Sequence, residues 1–202
     1  MDEIQQAVIG LELSAGVGEL CPCKRKPRTV RCLDCFQIGV RCMECIISMH
    51  SKTPFHRLKL WNGFYFDRLR PKDIGFSIEL GHDGVECTSR STRSTMTTMS
   101  IINTNGVHVM EVGFCECYRA PPRWKQLINA GLFPSTIERP ETAFTVPFMK
   151  LVHLLSTIGH MSAMDLTTAI RRMTNGAFTA STPVSNFPLS NIQHLKEFAG
   201  LL

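Results

Sequence analysis

No stretch of this sequence is long and apolar enough to cross a membrane. Its most apolar segment, Phe144 to Ile158, is interrupted by Lys150 and His153. It also falls short of the roughly 20 residues a spanning helix needs. A secretory leader is missing too: the chain opens "MDEIQQAVIGLEL", acidic at its start and without a basic flank. Acidic residues are few, 17 in 202, and none forms the carboxylate set that two-metal phosphoryl chemistry requires. These absences point away from a membrane protein and a catalytic nuclease, and no small-molecule substrate is expected. They favour a reducing compartment, in which thiols stay reduced. Nine cysteines are present, and an odd number does not suit a fully paired disulfide framework.

What is present is a chain able to bury a core. Hydrophobic residues make up 44% and the mean hydropathy is +0.01. The formal charge of +5 is mildly basic, which permits nucleic-acid binding without demonstrating it. Reduced thiols at short, regular spacing with histidines beside them point to a metal.

The spacing is densest in "CPCKRKPRTVRCLDCFQIGVRCMECIISMHSKTPFH", residues 21–56. The ligand-type residues fall in pairs: Cys21 and Cys23, Cys32 and Cys35, Cys42 and Cys45, His50 and His56. A tight turn lets each pair aim at one ion, and two pairs close a tetrahedron, so the eight suit two Zn2+ ions. The sequence between them is too short and polar to fold without metal, so zinc would supply folding energy. A sequential pairing joins Cys21, Cys23, Cys32 and Cys35, then Cys42, Cys45, His50 and His56. A cross-braced pairing joins Cys21, Cys23, Cys42 and Cys45, then Cys32, Cys35, His50 and His56. The order resembles a B-box, whose sites interleave, and that resemblance implies the cross-brace. The first C-x-C pair and the wide His50–His56 gap depart from it. Complete sets of four leave no open position for a catalytic water. Between the ligand pairs lies the basic loop "KRKPRTVR", where Lys24, Arg25, Lys26, Arg28 and Arg31 form a candidate phosphate-contacting array.

Beyond His56 the pattern is that of short strands. "RLKLWNGFYFDR" predicts a hairpin with a two-residue turn at Asn62-Gly63, "FSIEL" (76–80) a strand, and "SIINTNGVHVMEVGFCEC" a hairpin turning at Asn105-Gly106. The Ser/Thr-rich run 88–100 reads as a mobile loop. Cys115 and Cys117 are placed on the last strand, on one face, with His108 on the other. His82 and Cys87 flank a turn after the preceding strand, so His82, Cys87, Cys115 and Cys117 make a candidate third zinc site. Helices follow: "APPRWKQLINAG" with Trp124, Leu127 and Ile128 on one face and Gly131 as its stop. The next starts at Thr145 and presents Phe148, Leu151, Leu155 and Ile158. A third starts at Ser162 and Asp165, runs through Leu166, Ile170 and Met173, and ends at Asn175-Gly176. A last one lies in "NIQHLKEFAG". His153, His160 and His194 read as structural or surface residues. The expected class is α+β: a lead-in helix in 1–20, a small cross-braced zinc module at 21–60, a short antiparallel sheet with hairpins across 57–118, and helices from 119 to 202.

Taken in order, the paired-cysteine cluster, "PFHRLKLWNGFYF", "IELGH" with "DG" and Cys87, "NGVHVMEVGFCEC", "QLINAGLFPSTIERPETAFT" and "MKLVHLLS" carry a family resemblance. Over roughly residues 10 to 175 the chain resembles the second class of CxC-type cysteine-cluster domain, which precedes the catalytic domain of fungal KDZ transposases. The resemblance implies zinc binding and a nuclear module that recognises DNA or a protein partner, self-association included. Such transposases continue into an RNase H-like domain with a two-metal carboxylate site. No long alternation of strands and helices is present here to hold one. The chain is therefore expected to be non-catalytic: a truncated relic, a gene-model fragment or a stand-alone accessory module.

Overall fold

The computed structural model describes residues 2–12, 16–90 and 96–175. The chain divides into two compact units, Met1–Arg70 and Pro71–Leu202.

The first unit opens with helix α1 (Glu3–Glu12) and then builds a three-stranded antiparallel sheet in the order β1 (Val30–Cys32), β2 (Leu58–Trp61), β3 (Phe66–Leu69). Between β1 and β2 lies helix α2 (Met43–His50). Neither β1 nor α2 was evident from periodicity, because both are short and crowded with cysteines. The β2–β3 hairpin forms where "RLKLWNGFYFDR" predicts it, but Trp61 pairs with Phe66, so its loop holds four residues and not two. Asn62 causes this: its side-chain Oδ1 accepts from the backbone N–H groups of Phe64 and Tyr65 at 3.0 and 2.9 Å, which stretches the turn. Alternation along the strands divides the sheet. Val30, Cys32, Leu58 and Leu69 are buried on one face, with Ile46 of α2 also fully buried.

The second unit is a five-stranded mixed sheet in the order β4-β6-β5-β8-β7. These are β4 (Ser77–Glu79), β5 (Thr97–Asn103), β6 (Gly106–Gly113), β7 (Leu132–Pro134) and β8 (Thr142–Thr145). The β4–β6 and β5–β8 pairs are parallel and the others antiparallel. Strands β7 and β8 fall in the region expected to be helical. They are too short to show a period of two. The β5–β6 turn is Thr104-Asn105, one residue before the expected position, since Asn103 pairs with Gly106. Residues 97–100, expected in a mobile loop, are the start of β5; residues 91–95 lie outside the described residues.

Three helices complete this unit: α3 (Arg123–Asn129), α4 (Val146–Thr157) and α5 (Ala163–Thr174). Both predicted caps form: Thr145 Oγ1 accepts from Phe148 N, and Ser162 Oγ from Asp165 N. The expected faces hold in part: Phe148, Leu166, Ile170 and Leu127 are buried and Leu155 packs against the core, but the ends of the expected stripes are exposed. On α4 the core side chains are Phe148, Met149 and Val152, whereas Ile158 is exposed; on α5 Met173 is exposed. With Leu166 and Ile170 of α5 these pack on Ile102, Val107 and Phe144 of the sheet. On α3, Leu127 is buried but Ile128 is exposed. The expected helix in "NIQHLKEFAG", with His194, lies outside the described residues.

Candidate metal centres

Each of the nine cysteines belongs to one of three tetrads, and none is in a disulfide. The groups are Cys21, Cys23, Cys42, Cys45; then Cys32, Cys35, His50, His56; then His82, Cys87, Cys115, Cys117. Within each, the four ligand atoms lie within 4.8 Å of one another. In the first unit the pairing is thus interleaved: pair one with three, pair two with four.

Helix α2 explains the interleaving. Cys42 is its N-cap residue and Cys45 lies in its first turn, so both thiols reach one tetrad; His50, in its last turn, reaches the other. The i, i+4 spacing places His50 over Ile46, and His50 Nδ1–H donates to the Ile46 carbonyl at 2.9 Å. That bond fixes the ring's tautomer and leaves Nε2 facing Cys35 Sγ, 3.2 Å away. His56 offers the other ring nitrogen, with Nδ1 at 3.5 Å from Cys32 Sγ and 3.2 Å from Cys35 Sγ. Asp34, inside the Cys32–Cys35 turn, grips Arg57, the neighbour of His56. Its carboxylate accepts from the Arg57 backbone N–H at 2.5 Å and from Nη2 at 2.7 Å. The turn and the histidine that complete this tetrad are therefore locked together by one ion pair. Nothing local in the chain marks that pair except an acidic residue between two cysteines.

The third tetrad is built by strand pairing. Strands β4 and β6 run parallel with Glu79 opposite Gly113, so the segments leaving them emerge side by side. The first carries Gly81, His82 and, further on, Cys87; the second carries Cys115 and Cys117. These two cysteines lie just past the end of β6, not on it as expected. His108 takes no part: it is buried, with Nε2 2.9 Å from Asn105 Oδ1. Gly81 has φ +99, and a Cβ there would sit 3.0 Å from Cys115 Cβ, so the close approach of the segments depends on glycine. Gln126 of α3, missed in the sequence, holds Cys115 from behind. Its Oε1 accepts from Cys115 N at 2.8 Å, and its Nε2 donates to the Cys115 and Pro121 carbonyls at 3.1 and 2.8 Å. Nearby, the buried Arg90 makes a bidentate pair with Glu79 at 2.7 and 2.9 Å.

A tetrahedral zinc with bonds of about 2.3 Å to sulfur and about 2.0 Å to nitrogen sets its ligands about 3.8 Å apart for two sulfurs and about 3.5 Å for sulfur and nitrogen. Cys23 and Cys42 sulfurs are 3.6 Å apart, and Cys87 lies 3.9 and 3.8 Å from Cys115 and Cys117. His82 Nε2 is 3.3 and 3.5 Å from the same two sulfurs. The spacing of all three tetrads therefore fits a metal ion at each centre. Electrostatics agree. The Arg25 backbone N–H holds the Cys23 thiol near 6, and that of Glu116 does the same for Cys87. Other thiols are pushed up: Cys45, in the tetrad of Cys23, to about 12 by hydrogen bonding to Cys42, and Cys35, in the second tetrad, to about 11 by burial. Such a crowd of thiols deprotonates together only around a cation.

The basic loop is partly engaged within the chain. Lys26 pairs with Glu44 at 2.6 Å, Arg28 with Glu19 at 3.7 Å, and the Arg31 guanidinium lies 4.6 Å from the Phe66 ring centroid. Lys24 and Arg25 are exposed.

Closed tetrads of Cys and His on short turns define a module built around metal ions. The family model described as "CxC2 like cysteine cluster associated with KDZ transposases" matches residues 72–177. That is just over half of the 202 residues, and the chain belongs to this family. The match begins at the second compact unit, and of the three tetrads it includes only the third. No curated protein and no solved structure matches the chain. Among the described residues, no helix is long and apolar enough to cross a membrane.

Proposed function

We propose that this chain is a non-catalytic zinc module of a transposon-related nuclear protein, and that it recognises DNA. The observation that carries the zinc reading is the closure of three tetrads at tetrahedral spacing, with every cysteine used. Cys21, Cys23, Cys42 and Cys45 hold one ion, Cys32, Cys35, His50 and His56 a second, and His82, Cys87, Cys115 and Cys117 a third. Zinc in such sites is structural: it clamps turns that have little core of their own.

The DNA reading rests on the family's association with transposases and on charge. The first unit, residues 1–70, carries eleven Lys and Arg against seven Asp and Glu, so it holds +4 of the chain's formal +5. Lys24 and Arg25, exposed, lead the phosphate-contacting loop, and the surface pairs of Lys26 and Arg28 are weak enough to exchange for phosphate. The test is retention on duplex and single-stranded DNA across a salt series. Replacing Lys24, Arg25, Lys26 and Arg28 by alanine should flatten the salt slope, and an unchanged affinity and slope would remove the loop from the account.

A second reading, a protein-docking module, is favoured by one observation: Leu154 of α4 and Ile158 at its C-terminal cap are 52% and 76% exposed. Salt-tolerant self-association or partner capture, in place of salt-sensitive DNA retention, would select it.

A further inference from the structure

The three-stranded sheet of the first unit has a second face, which the metal centres do not use. Directly paired residues on antiparallel strands point to the same side. Arg31 pairs with Lys59 and Lys59 with Arg68, so three cations form a row across all three strands. Two residues further along, and so on the same face, Trp61 pairs with Phe66, and their rings meet edge to face at 5.2 Å. The Arg31 guanidinium sits over Phe66, joining the two rows. At the turn of the same hairpin Phe64 is 89% exposed and Tyr65 59% exposed. Their turn is held by the Asn62 bonds, so two exposed aromatics are presented on a fixed loop.

Exposed aromatic rings at a sheet's end cost solvation and serve no core. Joined to a row of cations, they match one ligand chemistry: planar bases on a phosphate chain, with rings stacking on the bases and cations meeting the phosphates. In duplex DNA the bases are already stacked and their faces closed.

We propose that this outer sheet face, with the Phe64-Tyr65 tip, is a stacking platform that selects an unpaired DNA strand over a duplex. This rests on the DNA-recognition reading above and adds the strand state and the surface. The test uses the full zinc-loaded chain with Trp124→Phe, which leaves Trp61 as the sole indole of the two present. A single-stranded oligodeoxynucleotide of roughly 10 nucleotides, within the span one such platform accommodates, is titrated against its duplex. The single strand should bind about tenfold tighter and quench Trp61 emission. Phe64→Ala with Tyr65→Ala should cost about tenfold or more, because a stacked base is worth about 1–3 kcal/mol. Both residues are exposed, so the zinc content of that variant should be unchanged. Equal binding of both forms, without quenching and indifferent to the double substitution, would overturn the platform and leave the basic-loop reading standing. Failure of the folded, zinc-loaded chain to bind either form would overturn both.

Discussion

Single residues decide whether each metal centre can close. At Gly81 an added methyl group would press on Cys115 within a left-handed backbone that side chains avoid. Gly81→Ala should therefore abolish the third centre and leave the two in the first unit, lowering the metal count by one in native mass spectrometry. Asp34 works differently, since it binds no metal in this account. Its pair with Arg57 is partly exposed, so Asp34→Ala should cost about 1–2 kcal/mol of unfolding free energy with the metal count intact. Glu79→Ala leaves the buried Arg90 guanidinium with only the exposed Glu86 as partner. A loss of about 3 kcal/mol is expected for the second unit, measured by denaturant unfolding.

At the scale of elements, what the sequence made legible was what chemistry spaces rigidly. Pairs of cysteines two or three apart, the Thr145 and Ser162 caps and the run of strands from Leu58 onward all follow from local rules. The interleaved pairing did not follow from spacing, which left two arrangements open; α2, reaching one tetrad through Cys42 and Cys45 and the other through His50, decides it. The third tetrad was recognisable as residues, but the parallel β4–β6 pairing that assembles it is a long-range contact with no local signature. The core face of α4 was legible in part: Phe148 and Leu155 lie on it as expected, but packing adds Met149 and Val152 and leaves Ile158, just past the helix, exposed. Gln126 and the Asp34–Arg57 pair were missed because polar residues in a helix or a turn read as solvated until their partners are placed. The tetrads also differ in exposure. The two in the first unit alternate buried and half-buried ligands, whereas His82 of the third is exposed. Under a mild chelator the third metal should leave first, seen as one fast and two slow steps in a colorimetric release assay.

Across the whole molecule the two units depend on metal to different degrees. The second has a continuous apolar core formed by α4, α5 and the sheet. Among its described residues, the first buries only a few apolar side chains beyond its cysteines, chiefly Val30, Val40, Ile46, Leu58 and Leu69. Stripping the metal should unfold the first unit while much of the second unit's sheet persists, and hydrogen exchange can separate the two. The central claim is that three closed tetrads each hold zinc and thereby hold the fold. Native mass spectrometry of the purified chain, before and after chelation, tests it most directly. Three zinc ions per chain are expected, with the first unit's structure lost when they are removed. A fully folded chain that carries no metal would contradict it.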